Sequence, residues 1–221
     1  MPKVNNEYFD LKKKSIIMAA INVCSRKPIY LVTMRDVITE AGLSKGGIYL
    51  YFSDIDDILI EVINSCNLKS DYRKDIDLVI SESSSNSEAL QNLLIFIGEY
   101  MQHTPSIIGK IQFELTVLYS NYPERATKIL AKIAEQQSGQ YFNQQLIYLV
   151  NQGIASGEFR PTLPLNDILT FVKASIDGIV QNQVFCRCYN KPHAAGENYD
   201  TVGLMKILAQ ASLRLLGNNS I

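Results

Sequence analysis

Tryptophan is absent from this 221-residue chain, histidine occurs twice, cysteine four times, and only 19% of the residues are charged. His103 and His193 lie far apart, and Cys186 and Cys188 are separated by a single residue with no second pair, so no metal-ligand spacing occurs. Cys24, Cys66, Cys186 and Cys188 read as free, mostly buried thiols. No Ser/His/Asp or Cys/His arrangement has supporting context, so the chain is expected not to be an enzyme and to need no cofactor or metal. Long hydrophobic runs are missing too. The longest, such as residues 93–97, fall far short of the roughly 18 apolar residues of a membrane span. The start, Met-Pro-Lys-Val-Asn-Asn, lacks the apolar stretch of a signal peptide, and a cytoplasmic protein without a membrane partner is expected. The scarcity of charge does not signal disorder, because 47% of the residues are apolar and can build a core.

What charge there is lies unevenly. Residues 1–52 hold eight Lys/Arg against four Asp/Glu, although the whole chain carries a formal net charge of −1. A basic N-terminal segment on an acidic body suggests that the head meets a polyanion and the body does not.

The hydrophobic periodicity is helical nearly throughout, and strand-type alternation is missing over any useful length. A first helix is expected over 8–26, with Ile16, Ile17, Ala20, Ile21 and Cys24 on one face and Pro28 ending it. Thr33 caps a second helix that stops at Ala41-Gly42. Ser44 caps a short third helix over 45–52, and Asp54 caps a fourth from residue 55 to past Asn67. The Ser-rich residues 81–87 read as a loop. Longer helices are expected near 88–103, 105–121, 123–156, 166–188 and 200–216, with Pro105, Pro123, Pro161, Pro164 and Pro192 at or before helix starts. Residues 187–199 read as a long connector.

Residues 33–52 carry the chemistry. A short helix, a Gly-containing turn and a second short helix form the helix-turn-helix plan, whose second helix enters the DNA major groove. Val37, Ala41, Leu43, Ile48 and Phe52 supply the apolar contacts that fix the angle between the helices. Gly46 and Gly47 leave the front of the third helix without bulk. The helix starts at Thr33 and Ser44 can aim hydroxyls and backbone N–H groups at phosphates. Tyr49 and Tyr51 bring phenolic hydroxyls, and Arg35 and Lys45 can reach phosphate or a guanine edge.

From Lys14 to Leu59 the chain resembles the N-terminal domain of the TetR/AcrR family of bacterial transcriptional regulators. The features in register are Ala19-Ala20, Thr33-Met-Arg-Asp-Val, Ala41-Gly-Leu-Ser-Lys-Gly, Ile48-Tyr-Leu-Tyr-Phe and Asp57-Ile-Leu. Phe113-Glu-Leu, Gly157-Glu-Phe and Asp177-Gly extend the likeness more loosely into the C-terminal part. The resemblance implies an all-α protein with a three-helix DNA-binding domain over residues 8–68. Residues 69–221 would form a helical ligand-binding and dimerisation domain. It also implies that Thr33, Met34, Arg35, Ser44, Lys45, Gly46, Gly47, Tyr49 and Tyr51 fall on positions that touch DNA. The chain departs from the family pattern at Ile55, where a phosphate-gripping base is usual, and at Leu50, Pro28 and Cys24. Asp54, Asp56 and Asp57 beside Ile55 oppose close approach of the DNA backbone.

In the body, Tyr100, Met101, His103, Phe113, Glu114, Tyr119, Phe142, Tyr148 and Gln181 are candidates to line an inducer pocket, with plain core or surface as the competing reading. The apolar stripes of the last two helices point to a twofold, four-helix homodimer contact. Its candidates are Ile168, Val172, Ile176, Ile179, Leu204, Ile207, Leu208, Ala211 and Leu215. The expected function is a dimeric regulator of transcription, a repressor, on a palindromic double-stranded DNA operator, released by a small hydrophobic or aromatic inducer. The alternative is a ligand- or protein-binding regulatory module with weakened DNA binding.

Overall fold

The computed structural model describes residues 6–68, 71–104, 106–134, 137–189 and 199–218. Regular structure among them is helical, in the order α1 (Asn6–Arg26), a 3-10 turn (Ile29–Leu31), α2 (Met34–Ala41), α3 (Lys45–Ile48), α4 (Ile55–Leu68), α5 (Arg73–Ser81), α6 (Asn86–His103), α7 (Ser106–Asn121), α8 (Pro123–Leu130), α9 (Gln137–Ala155), α10 (Leu165–Cys188) and α11 (Thr201–Leu215). The expected all-α class holds, and three details of the reading change. Helix α5 was not anticipated. The single helix expected over 123–156 is two, α8 and α9. The Ser-rich segment is mostly helix cap, because Ser85 accepts the Glu88 N–H at 3.1 Å and α6 already begins at Asn86. Most of the expected connector, residues 190–198, lies outside the described residues.

The helices form two compact units. Residues 1–69 and 106–135 make the first, and residues 70–105 and 136–221 the second. The division expected after residue 68 falls where α4 ends, but the packing is not sequential, since α7 and α8 belong with α1–α4.

The first unit is built around α1. Ile16, Ala20 and Cys24 have no exposed surface and meet Val37 of α2, Ile48 of α3, and Ile58 and Leu59 of α4. Ile111 and Leu118 of α7 and Ile129 of α8 complete this core. α7 also carries a buried ion pair, Lys110 to Glu114 at 2.9 Å, each side chain only 5% exposed. Lys110 donates to the Cys24 carbonyl at 2.7 Å and the Lys27 carbonyl at 3.2 Å, satisfying acceptors at the end of α1. Glu114 accepts the Ile29 N–H at 2.7 Å. Burial alone would penalise both charges, and these partners are what make the pair tolerable. The break between α8 and α9 has a tertiary cause. Asn64 of α4 accepts the Ala134 N–H at 2.7 Å and donates to the Lys132 carbonyl at 3.4 Å, while Asn67 donates to the Ala134 carbonyl at 3.1 Å.

In the second unit α6 packs against α5, α9 and α11, and α10 lies on α11. Its core holds Leu90, Leu93 and Leu94 of α6, Phe142 and Leu149 of α9, Ile168 and Val172 of α10, and Met205 and Leu213 of α11. Glu158, after α9, accepts the N–H groups of Asn86 at 3.1 Å and Ser87 at 2.7 Å, so it caps α6 from a distance.

Replacing Lys110 by Met leaves Glu114 charged and buried, and should lower the unfolding free energy by about 3 kcal/mol. The double variant Lys110→Met/Glu114→Gln should recover part of the loss, because Gln still accepts the Ile29 N–H with no charge left inside. Urea unfolding followed by circular dichroism measures both, and an unchanged midpoint for Lys110→Met would refute the role given to the pair.

Candidate functional site

Two helix starts and one tight turn shape the reading surface. Thr33 and Asp36 form a reciprocal cap on α2. The Thr33 hydroxyl accepts the Asp36 N–H at 3.3 Å, and the Asp36 carboxylate accepts the Thr33 N–H at 2.8 Å. Lys27 donates to the same carboxylate at 2.6 Å. The Lys27 bond first, and the Thr33 hydroxyl second, hold the Asp36 carboxyl down at about 2. A second ion pair, Arg26 with Glu40, joins the end of α1 to the end of α2. Gly42 ends α2 at φ 62°, the left-handed conformation that costs a side-chain-bearing residue most, and so turns the chain into α3. Ser44 then caps α3 by accepting the Gly47 N–H at 3.1 Å.

Helix α3 is shorter than expected. It is regular over Lys45–Ile48, and Tyr49–Tyr51 continue as turns that keep the Phe52 N–H on the Ile48 carbonyl at 3.2 Å. Two glycines in the first turn weaken a helix by about 1 kcal/mol each, and burial of Ile48 and Phe52 holds the segment instead. Thr33, Arg35, Ser44, Lys45, Gly46 and Tyr49 are exposed, whereas Met34 and Gly47 are half-buried. A β-carbon added at Gly46 would meet nothing within 4 Å. Tyr51 is also half-buried and packs its ring 4.5 Å from that of Phe9, so it is held by α1.

The acids beside Ile55 are engaged within the same unit. Arg125 of α8 donates to Asp56 at 2.6 and 2.8 Å and to the Tyr30 carbonyl at 3.3 Å. Asp57 accepts the Ser53 N–H at 3.3 Å and lies 3.5 Å from Lys132. Ser53 first, with Lys132 helping, lowers the Asp57 carboxyl below the ordinary carboxylate range. Asp54 caps α4 through the Asp57 N–H at 2.9 Å. An open cleft of about 440 Å³ lies here, lined by Asp56, Tyr122, Pro123, Glu124, Arg125 and Lys128.

The candidates for an inducer pocket divide between the two units. Phe113, Glu114 and Tyr119 sit on α7 in the first unit, where Glu114 serves the buried ion pair and Tyr119 is exposed. Tyr100, Met101, His103, Phe142, Tyr148 and Gln181 belong to the second unit. Tyr100 and Met101 pack on its core and Phe142 is inside it, whereas His103, Tyr148 and Gln181 are exposed. The buried glutamine of α10 is Gln183, two residues on from Gln181, and the expectation missed it. Tyr72 and Phe96 were missed too. The Tyr72 ring lies 4.4 Å from Tyr100, and Phe96 lies 6.2 Å from Tyr100. Burial first, with Tyr100 second, pushes the Tyr72 phenol up to about 12.

The dimer candidates separate in the same way. Ile168, Val172, Ile176 and Leu208 are buried in the second unit, so their stripe is the unit's own core. Ile179, Leu204, Ala211 and Leu215 are half-buried and Ile207 is 64% exposed. Among the described residues no group of three or more His, Cys, Asp or Glu could hold a metal ion, and no helix is long and apolar enough to cross a membrane. Cys24 and Cys66 are buried free thiols, and burial pushes the Cys24 thiol up to about 12.

Residues 16–62 match the N-terminal domain of bacterial regulatory proteins of the tetR family, and residues 98–188 match the tetracyclin repressor-like C-terminal domain. The chain is 32% identical over 184 residues to the uncharacterized HTH-type transcriptional regulator YfiR of Bacillus subtilis (strain 168), covering 83% of this chain and 85% of that protein. The chain belongs to the tetR family of bacterial regulatory proteins. As a member of that family it is a helix-turn-helix, DNA-binding regulator of transcription, and the family consists of regulators rather than enzymes. Two solved structures share the fold. One is the transcriptional regulator FadR from Bacillus subtilis in complex with stearoyl-CoA, with a TM-score of 0.59, 21% identity, and coverage of 91% of this chain and 98% of that one. The other is the ketosteroid transcriptional regulator KstR2 of Mycobacterium tuberculosis, with a TM-score of 0.53, 19% identity, and coverage of 93% of each chain.

The Asp36 cap has a pH signature. Its folded carboxyl titrates near 2 against an ordinary 3.8, so the unfolded chain takes up the proton first. The stabilisation is complete above about pH 4 and is lost as pH falls toward 2. Asp36→Asn should lower the unfolding free energy by about 1 kcal/mol at neutral pH. Its deficit relative to wild type should shrink across that acid window in urea titrations; a deficit independent of pH would contradict the assignment.

Proposed function

We propose that this family member is an effector-responsive repressor, which binds a palindromic operator as a homodimer and leaves it when a small hydrophobic or aromatic molecule occupies the second unit. The observation that carries the DNA half is Gly46. It stands exposed at the front of α3 with open space where a side chain would go, so nothing inside the protein requires a glycine there. A surface that must come against a phosphate backbone or a groove floor does require one. Arg35 on α2, Lys45 on α3 and Tyr49 just after it are exposed donors, and the N-termini of α2 and α3 add backbone N–H groups.

For the homodimer, the support is the outward side of the last two helices. Phe171 is 49% exposed and Ile207 64% exposed, with Ala174, Gly178, Leu204 and Ala211 at helical spacing from them. Two such helices from each protomer make a twofold four-helix contact, and twofold heads suit half-sites about 34–36 Å apart or a multiple of that. For the effector, the support is the aromatic group Tyr72, Phe96 and Tyr100 within the second unit. An effector that fits one conformation of the protein better than the DNA-bound one shifts the population away from DNA. The alternative of a module with weakened DNA binding rested on the acids around Ile55. Pairing of Asp56 with Arg125 and of Asp57 with Lys132 favours the first reading over it.

Fluorescence anisotropy on DNA from upstream of its own gene tests this reading. Lys45→Ala and Arg35→Ala should each weaken binding and reduce the slope of log K against log salt by about 1. Gly46→Ala should raise stability by up to about 1 kcal/mol yet weaken binding. Unchanged affinity in all three variants would sink the proposal.

A further inference from the structure

Among the described residues of the second unit, one buried side-chain polar atom has no hydrogen-bond partner. Gln183 of α10 is 4% exposed, and its Oε1 is fully buried without a hydrogen bond. The other end of the same amide, Nε2, donates to the Met101 carbonyl in the last turn of α6 at 2.9 Å. That bond sets the orientation of the amide, because turning it over would face oxygen against oxygen. The orphan atom is therefore an acceptor. A methionine at this position would leave no unpaired side-chain oxygen, so the glutamine carries a desolvation cost that its single bond to the Met101 carbonyl only partly offsets.

Val184, the next residue on α10, is buried, Val180 lies half-buried one turn earlier, and Tyr100 precedes the bonded Met101. The cation nearest in sequence, Arg187, donates to the Gln102 carbonyl at 2.7 Å and the Met101 carbonyl at 3.5 Å. An unsatisfied buried acceptor in a unit whose core is aliphatic and aromatic suits a small-molecule site, in which a few polar groups set orientation and the rest supply burial. Met101 and Tyr100 are half-buried, and the flexible methionine can give way to admit a ligand.

We propose that Gln183 Oε1 is the polar recognition point of the effector site, and that it takes an apolar molecule carrying a neutral O–H or N–H donor. This rests on the reading of the second unit as effector-binding. A carboxylate is excluded at this point, since it would bring an acceptor to an acceptor. An ether or a hydrocarbon of the same shape leaves the atom unsatisfied.

Matched pairs test this on the full-length protein: phenol, 4-butylphenol and 2-naphthol, each against its methyl ether, titrated by calorimetry. Burial alone ranks each ether above its phenol, because the ether adds a methyl group. The expected result is the reverse, with at least one phenol binding about ten-fold tighter than its ether. Gln183→Met should erase that preference, and Gln181→Met, on the exposed neighbour, should keep it. The wild-type ratio needs no variant, so poor folding of Gln183→Met leaves the test intact. Equal binding of phenol and ether, or binding of neither, overturns the proposal. If phenol and ether bind equally and both release the protein from DNA, the effector reading survives and the donor requirement alone fails. If phenols bind as expected without affecting DNA, the recognition point stands and the effector reading fails.

Discussion

The ion pair between Lys110 and Glu114 is the constraint around which the first unit is arranged. A lysine and a glutamate four residues apart on a helix are ordinarily a solvated surface pair worth a few tenths of a kcal/mol. Here both are buried, and each reaches out of its own helix. Lys110 takes the carbonyls that α1 leaves open at its C-terminus, and Glu114 takes the Ile29 N–H in the turn that follows. The charges are inside because those backbone groups need partners, and the backbone groups are satisfied because the charges are there. The consequence is architectural. Helix α7, distant from α1 in sequence, becomes part of the unit that carries the reading surface.

Around that joint the reading surface is assembled from short-range devices. The Thr33–Asp36 cap, the left-handed Gly42 and the Ser44 cap each act over a few residues and together set the path from α2 to α3. Ion pairs from Lys27 to Asp36 and from Arg26 to Glu40 tie that path to the end of α1, the same segment that Lys110 holds. Gly46 stands beside these devices with nothing within 4 Å of where its β-carbon would lie. The departure from the family pattern at Ile55 is answered from another helix. Arg125 and Lys132 face Asp56 and Asp57, so those two acids do not stand unopposed beside the head.

The second unit follows a different logic. Its core is aliphatic, with an aromatic group of Tyr72, Phe96 and Tyr100 at one side. Its one unpartnered buried side-chain atom among the described residues is Gln183 Oε1, at the end of α6. Gln181 and Gln183 look equivalent in the sequence, but two residues turn an α-helix by roughly 200°, so one faces water and the other the interior. Which of the two is inside depends on where α6 lies, and the α6 residue it bonds is 82 residues upstream.

The sequence by itself determined the features whose physics is local: the all-α class, most helix bounds, the caps at Thr33, Ser44 and Asp54, the turn at Gly42, and the family resemblance those residues carry. Tertiary structure alone decided the rest. The break after α8 has no proline or glycine to mark it, because side chains of α4 make it. The stripe Ile168, Val172 and Ile176 is apolar whether it meets a second subunit or the chain's own core, and only the packing of α10 shows that it is core. Glu114 reads as a pocket residue or a surface acid until the end of α1 is seen against it. In each case periodicity records that a side chain is apolar or charged, while the identity of its neighbour is set by contacts between residues far apart in the chain. The opening scarcity of charge takes on meaning in the same way, since two of the few charges lie buried where they join α7 to α1.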